Sequence, residues 1–343
     1  MPWKCITEKP WSTYIVRNHK TLTREQKKHL KLDALRGVEL VPSVTRLCAM
    51  NLLLHGIGPT ADEANPPVES KDSLASDPGT RYPMVLTNPP FGKKSSVMVV
   101  TDEGDEGREA LTIMREDFWA TTSNKQLNFM QHVKTILAMH GRAAVVVPDN
   151  VLFEGGAGET IRRKLLHDCD VHTLLRLPTG IFYAQGVKAN VIFFDRKPAS
   201  EKPWTKKLWI YDLRTNQHFT LKTNPLKRAD LDEFVACYEP GERQKRKATW
   251  SESNTTGRFR AYDYADLVQR DKCSLDIFWL KDESLEASEN LPDPDVIAGE
   301  IVEDLRAALE QFEAVEGDLR GRPSAVRIRP MTIIFRAAVQ AHM

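Results

Sequence analysis

Between Tyr14 and about Arg196, apolar segments of strand length alternate with stretches of helical periodicity. Because a strand that is followed by a parallel strand needs a crossover, this alternation predicts an α/β fold, with a parallel sheet covered by helices. The predicted strands are Val38–Val41, Tyr82–Thr87, Ala143–Pro148, Leu174–Leu177 and Asn190–Phe194. The predicted helices are Pro42–His55, Leu127–Met139 and Gly158–His167. We expect Gly141 to end the second helix as a left-handed cap.

The charge of the chain excludes a uniformly basic surface. Its 343 residues include 48 Lys and Arg against 47 Asp and Glu, a formal net charge of +1. Any contact with nucleic acid would therefore depend on local patches. Residues 202–260 are basic, with 13 Lys and Arg against 7 Asp and Glu, whereas residues 280–318 are acidic, with 13 Asp and Glu against 2 Lys and Arg.

The five cysteines, at positions 5, 48, 169, 237 and 273, are widely spaced and never form a C-x-x-C pair. This spacing argues against a disulfide framework and against a metal site. No apolar run approaches the roughly 20 residues that span a bilayer, and the first residues lack the apolar stretch of a secretory signal. The sequence thus predicts a cytoplasmic protein without a membrane segment.

The acidic region contains a predicted amphipathic helix from Asp295 to Glu316. Its apolar residues recur every three or four positions, with Pro292 and Pro294 ahead of them. An isolated helix of this length is marginal in water, so its apolar face must pack against something. Packing within the chain and docking of a partner are both open.

The most informative segment is Asn88-Pro89-Pro90-Phe91-Gly92, which directly follows the predicted strand Tyr82–Thr87. A side-chain amide oxygen at Asn88 and the backbone carbonyl of Pro89 can both accept hydrogen bonds from one exocyclic amino group. The two prolines hold this backbone stiffly, and Phe91 offers a face on which a base could stack. Accepting both amino hydrogens frees the nitrogen lone pair to attack an electrophilic methyl group. A Pro-Pro turn that merely closes a strand is the alternative.

This motif resembles the catalytic motif of N6-adenine DNA methyltransferases. Four further segments, Gly37–Pro42, Met50–Gly58, Gly186–Phe194 and Leu275–Asp282, resemble the modification subunit of type I restriction-modification systems. The resemblance runs from about residue 14 to about residue 315. It implies a Rossmann-like S-adenosylmethionine-dependent methyltransferase sheet with a C-terminal helical extension, and methyl transfer to adenine N6 in double-stranded DNA.

The resemblance also assigns roles to residues and partners. It places Glu39 on the ribose of S-adenosylmethionine and Asp72 near the adenine of that cofactor, beside the catalytic Asn88-Pro89-Pro90-Phe91. Without the resemblance, Glu39 is an exposed strand-end residue and Asp72 a turn or cap. The implied partners are a specificity subunit, which the helix from Asp295 would join, a second modification subunit and a restriction subunit.

The sequence departs from the family in its first part. The central first strand and the Gly-rich turn of the form D-P-x-x-G-x-G-G-F are missing. The Gly-rich segment Gly155–Gly158 follows a later strand, so it cannot be that turn unless the order of the strands is permuted. We therefore expect a partial methyltransferase domain over 14–200, an α+β extension over 201–290 and the amphipathic helix over 291–318. Segments 1–13 and 319–343 match nothing in the family. The strands on either side of the missing one would have unpaired edges, and the chain alone would bind S-adenosylmethionine weakly or not at all.

Two other functions remain open: methylation of a protein glutamine or an RNA base, and a non-catalytic remnant that docks a partner through its acidic helix. Lys93 and Lys94 either contact phosphates or face water. The basic run Arg243–Lys247 likewise either contacts phosphates or faces water. We expect His167 and His172 to lie on the surface.

Overall fold

The computed structural model describes residues 22–58, 66–91, 96–100, 106–110, 112–182, 187–217, 219–221 and 223–282, with Val302 and Leu309 beyond them. The chain divides into two compact units, residues 1–282 and 283–343. The long helix predicted from Asp295 falls outside the described residues, apart from Val302 and Leu309, which are both helical. In the described part, no helix is long and apolar enough to cross a membrane.

The described strands form three sheets. A two-stranded parallel sheet pairs β1 with β2, a two-stranded antiparallel sheet pairs β4 with β5, and the other six strands form one sheet in the order β10-β9-β7-β8-β6-β3. The strands are β1 (Gly37–Glu39), β2 (Val68–Ser70), β3 (Tyr82–Thr87), β4 (Ser96–Val100), β5 (Glu106–Ala110), β6 (Leu137–Pro148), β7 (Cys169–Arg176), β8 (Ala189–Arg196), β9 (Lys207–Asp212) and β10 (Phe259–Asp263).

Three of the described helices, at Pro42–Leu54, Lys125–Ile136 and Ala157–Asp168, largely coincide with the three that the apolar periodicity predicted. The described α-helices are α1 (Arg24–Leu32), α2 (Pro42–Leu54), α3 (Lys125–Ile136), α4 (Asn150–Phe153), α5 (Ala157–Asp168), α6 (Asp232–Tyr238) and α7 (Tyr264–Gln269). Local chemistry sets their starts: the Asn124 side chain accepts from two backbone N–H groups at the start of α3, and Pro42 occupies the first turn of α2,.

The six-stranded sheet is mixed, not parallel throughout. β3 runs parallel to β6 and β7 parallel to β9, whereas β8 runs antiparallel to both β6 and β7, and β10 antiparallel to β9. No helix lies between β7 and β8 in the described residues, and β8 returns in the opposite direction,. The carboxyl ends of β3, β6, β7 and β9 therefore lie together. This border of the sheet is its carboxyl edge. The α/β class is confirmed, with helices packed on the sheet.

Two apolar clusters cover the two sides of this sheet. The first joins α3 and α5 to the central strands and includes the fully buried Leu127, Ile161 and Phe194. The second is aromatic and joins α6 to β9 and β10 through Phe234, Tyr211 and Phe259 and their neighbours. Both clusters lie within residues 127–277.

The prediction that Gly141 caps a helix is wrong. Helix α3 ends at Ile136 and the chain passes directly into β6, which contains Gly141. A Cβ at this glycine would lie 2.8 Å from the carbonyl oxygen of Ala138 and 3.0 Å from that of Tyr82 in the adjacent strand. Position 141 needs glycine because the backbones of β6 and β3 approach closely there, and not because a helix ends at it.

Candidate functional site

The Asn88-Pro89-Pro90-Phe91 segment follows β3 at the edge where four strands end. Pro89 is buried, the side chains of Asn88 and Pro90 are exposed, and Phe91 is 37% exposed. Pro89 thus holds the loop against the protein, while the Asn88 amide and part of the Phe91 ring remain open to a ligand. Ligands of open α/β sheets bind at this kind of edge.

Phe91 is supported by a second aromatic residue. Its ring meets the ring of Phe182 nearly at right angles, with the centroids 5.7 Å apart. Phe182 lies in the loop after β7 and packs against the aromatic cluster. The loop depends on Gly180, which has a φ of 81° and whose Cβ would lie 1.9 Å from the Phe219 carbonyl oxygen. Sequence reasoning missed Phe182, although its place after a strand ending at the same edge was a usable signal.

The same edge carries a polar network centred on Arg214. Its guanidinium donates to both carboxylate oxygens of Asp149, at 2.7 and 2.9 Å, and to the backbone carbonyls of Leu177 and Ala189, both at 2.8 Å. Asn190 donates to Asp149 at 2.8 Å. Burial alone would raise the pKa of Asp149, but the Arg214 hydrogen bonds hold it below its usual value,. The network joins the ends of β6 and β8 to the segment after β9.

Arg176, at the carboxyl end of β7, is fully buried. It donates to the carbonyl of Ile277 at 2.7 Å, pairs with Asp276 at 3.1 Å and lies beneath the exposed ring of Phe278 at 3.9 Å. Burial lowers the pKa of Arg176 and raises that of Asp276. The contacts of Arg176 thus hold the Leu275–Asp282 segment, which resembles a family segment, against the carboxyl end of β7.

Glu39 and Asp72 lie at the carboxyl end of the separate β1–β2 sheet. Glu39 ends β1, and its Oε1 accepts from the Val41 N–H at 2.8 Å. Asp72 follows β2, and its Oδ1 accepts from the Leu74 N–H at 2.8 Å. The structure brings these two carboxylates to one end of one small sheet. No strand ladder within the described residues connects that sheet with the sheet carrying Asn88.

Two arginines of the basic run and one histidine make structural contacts, whereas Lys245 and Lys247 are exposed. Arg246 is buried and donates to the carbonyls of Tyr238 and His172, and Arg243 pairs with Asp195 at 2.5 Å. His172 is buried as well, with its Nε2 3.6 Å from Asp195. The expectation that His172 lies on the surface is therefore wrong, because partners distant in sequence enclose it. In the described part, no three His, Cys, Asp or Glu side chains converge as metal ligands would.

Comparison with known families decides the class of protein. A model of the N-6 DNA Methylase family matches residues 12–274, most of the chain. This chain belongs to the N-6 DNA methylase family. Its relatives include the methylase subunits of the type I restriction enzymes StySJI from Salmonella typhimurium and EcoKI from Escherichia coli. Each is 40% identical to this chain over 311 residues, which cover 82% of this chain and 56% of the relative.

Solved structures agree with this assignment. The M protein of EcoKI superposes with a TM-score of 0.66 at 35% identity, covering 95% of this chain and 68% of that protein. A modification subunit from Vibrio vulnificus, with a TM-score of 0.57 and 24% identity, shows the fold alone. The resemblance to type I modification subunits is confirmed. The chain spans just over half the length of the curated relatives that it matches.

Proposed function

We propose that this chain is the catalytic part of a type I modification subunit and transfers a methyl group from S-adenosylmethionine to N6 of an adenine in DNA. The observation that carries the proposal is the exposed Asn88 amide beside the supported Phe91 ring, at the carboxyl edge of the sheet, in a chain of the N-6 DNA methylase family.

In the proposed mechanism, the side-chain oxygen of Asn88 and the carbonyl oxygen of Pro89 each accept one hydrogen of the adenine amino group. The nitrogen lone pair is then directed away from the ring and toward the incoming methyl group. Phe91 stacks on the base, which must leave the duplex at a cost of a few kcal/mol. Phe182 keeps the Phe91 ring in place while the base stacks on it. S-adenosylmethionine, when bound, would supply the electrophilic methyl group and leave as S-adenosylhomocysteine, and the methylated nitrogen would lose one of its two protons to solvent.

The carboxylates at the end of the β1–β2 sheet fit one part of this cofactor. The Oε1 of Glu39 accepts from the Val41 N–H, so Oε2 can accept from a ribose hydroxyl, and Asp72 is placed similarly for the adenine end,. Within the described residues, no Gly-rich turn lies beside these carboxylates for the methionine end. We therefore propose weak cofactor binding by the chain alone, and a calorimetric titration that gave a micromolar Kd would contradict this.

The proposed partners are double-stranded DNA, a specificity subunit, a second modification subunit and a restriction subunit. The relatives are methylase subunits of type I restriction enzymes, which supports this assignment. The predicted helix from Asp295 would contact the specificity subunit. Pull-down by a type I specificity subunit, with the full chain and with a variant lacking residues 295–343, tests this contact, and equal retention of both would contradict it.

The function is tested by incubating the full chain with a type I specificity subunit, DNA and millimolar S-adenosylmethionine, so that weak cofactor binding does not limit the reaction. Mass spectrometry of the nucleosides should detect N6-methyladenine. Asn88→Ala should abolish it while DNA binding persists, and Asn254→Ala, in the exposed 251–256 turn, should not. Methylation by Asn88→Ala, or transfer to a glutamine peptide or RNA in place of DNA, would overturn the proposal, as would no transfer at all.

A further inference from the structure

A buried arginine joins the segment after β2 to helix α3. The side chain of Arg115 is 4% exposed. Its Nη1 lies 3.4 Å from the backbone carbonyl oxygen of Ser73 and 3.5 Å from that of Leu74. The same nitrogen lies 3.2 Å from Nδ1 of His132, which belongs to α3. Arg115 thus connects the backbone beside Asp72 to a helix of the six-stranded sheet.

A carboxylate and an aromatic ring fix the orientation of this guanidinium. Its Nε and Nη2 donate to the two carboxylate oxygens of Asp117, at 3.0 and 2.7 Å. The Thr135 hydroxyl, also in α3, donates to Asp117 at 2.5 Å. The ring of Phe118 lies 4.2 Å from the guanidinium carbon. Because Nε and Nη2 are engaged by Asp117, Nη1 is left to donate to the Ser73 and Leu74 carbonyls.

His132 is an acceptor for Arg115 at neutral pH. Burial and the positive charge of Arg115 lower the pKa of His132 to about 4, so the ring is uncharged at pH 7,. A neutral imidazole that carries its hydrogen on Nε2 can accept from Nη1 of Arg115 through Nδ1. Helix α3 therefore holds the guanidinium through Thr135 and Asp117 on one side and through His132 on another.

Leu74 passes this restraint on to Asp72. The carbonyl of Leu74 faces Arg115, and its N–H donates to Oδ1 of Asp72 at 2.8 Å. Leu74 is buried, whereas Asp72 is exposed. The Asp72 carboxylate is thus open to a ligand while the backbone that orients it is anchored. An ionised carboxylate is an acceptor alone, so it selects a ligand that presents a hydrogen-bond donor.

We propose that Arg115 is a positioning residue for the adenine end of S-adenosylmethionine: it fixes the backbone of Ser73 and Leu74 and so aims the Asp72 carboxylate at the adenine amino group. This inference rests on the proposed function, which places Asp72 at that end of the cofactor. Arg115 acts through Leu74 and not by contact with the ligand. A lysine ammonium cannot engage both oxygens of Asp117 and also hold the two carbonyls.

The test compares two ligands of the full chain, S-adenosylhomocysteine and S-inosylhomocysteine, in which an oxygen replaces the purine amino group. Saturation-transfer NMR measures millimolar Kd values without DNA or turnover. The wild type should bind the amino compound roughly tenfold more tightly, because a charged carboxylate accepts from an amino group and repels an oxygen. Arg115→Lys should reduce this preference to about twofold. Asp72→Asn should abolish it, and adding Arg115→Lys to Asp72→Asn should change nothing further.

Arg162→Lys is the matched control. Arg162 is 3% exposed, and its hydrogen bonds join α5 to backbone carbonyls at positions 151, 154, 272 and 273. This variant also removes a buried guanidinium but should keep the preference for the amino compound. Asp117→Asn is a milder variant, which loosens the hold on Arg115 and should reduce the preference by a smaller factor. Thermal unfolding of each variant checks that it folds.

A preference that Arg115→Lys and Asp117→Asn both retain would overturn the inference. An equal loss in Arg162→Lys would do so too, because it would assign Arg115 a general structural role. A wild type that binds both compounds equally, or neither, would instead contradict the placement of Asp72 at the cofactor adenine in the proposed function, and the inference about Arg115 would fall with it.

Discussion

The ring of Phe182 meets the ring of Phe91 edge to face, with a centroid distance of 5.7 Å and an interplanar angle of 76°. The two residues lie in loops after β7 and β3, and two strands separate those strands in the sheet. The base-stacking surface proposed for Phe91 is thus supported by a loop far away in sequence.

Replacing Phe182 with alanine should reduce methyl transfer. An edge-to-face pair contributes about 0.5–1.5 kcal/mol beyond the area it buries, so we expect kcat/KM for DNA to fall about 2- to 13-fold. Phe182→Leu should restore part of the loss by refilling the volume. Phe153→Ala, which removes a partly exposed ring elsewhere, is the matched control. Equal rates for Phe182→Ala and this control would show that Phe91 does not depend on Phe182.

Gly141→Ala should destabilise the protein. The added Cβ would approach two backbone carbonyl oxygens, one of them in β3, at 2.8 and 3.0 Å, and backbone yields little at such distances. We expect the free energy of unfolding to fall by about 1–3 kcal/mol. Gly241→Ala is the control, since a Cβ there meets nothing within 4 Å. Urea denaturation of both variants provides the comparison, and similar midpoints would contradict the close approach of β3 and β6.

Buried histidines should make the protein less stable in mild acid. Burial lowers the pKa of His172 to about 4, although Asp195 opposes the shift, and burial with the nearby Arg115 lowers that of His132 to about 4. The unfolded chain therefore binds protons below about pH 6.5 that the folded chain does not. The stability that depends on the two histidines should be fully present above this pH. The free energy of unfolding should fall as the pH approaches 4, by up to about 1.4 kcal/mol per pH unit for each histidine.

The check is urea denaturation of the wild type and of the double variant His132→Gln, His172→Gln at several pH values between 4 and 7. The double variant should lose most of the slope, and His167→Gln, at a partly exposed histidine, is the control. A slope that the double variant leaves unchanged would assign the acid sensitivity to other groups.

Local sequence pattern predicted five of the described strands and three of the described helices, but not the long-range contacts. Tyr82–Thr87 was placed residue for residue, because an apolar run followed by Asn-Pro-Pro defines both its length and its end. The buried Arg246 was read from its basic neighbours as a surface residue. Its partners, Tyr238 and the His172 carbonyl, lie 8 and 74 positions away, and no periodicity encodes the second contact. Gly141 was misread for the same reason, since its constraint comes partly from Tyr82 in another strand.

The Arg214–Asp149 pair should contribute stability that depends on pH and on guanidinium geometry. Arg214→Lys keeps the positive charge but cannot reproduce the paired donors to Asp149 together with those to Leu177 and Ala189,. Both side chains are largely buried, so we expect a loss of about 2–4 kcal/mol at pH 7,. Arg228→Lys, in an exposed helical pair, should cost less than about 0.5 kcal/mol,.

The pKa of Asp149 is lowered in the folded state, so the contribution of the pair is present above about pH 4 and is lost as the pH falls through the folded value,. Urea denaturation at pH 7 and pH 3 should therefore show a large difference between wild type and Arg214→Lys at the higher pH and a smaller one at the lower. A difference that stays constant with pH would indicate that Arg214 stabilises the sheet edge through the backbone carbonyls and not through Asp149.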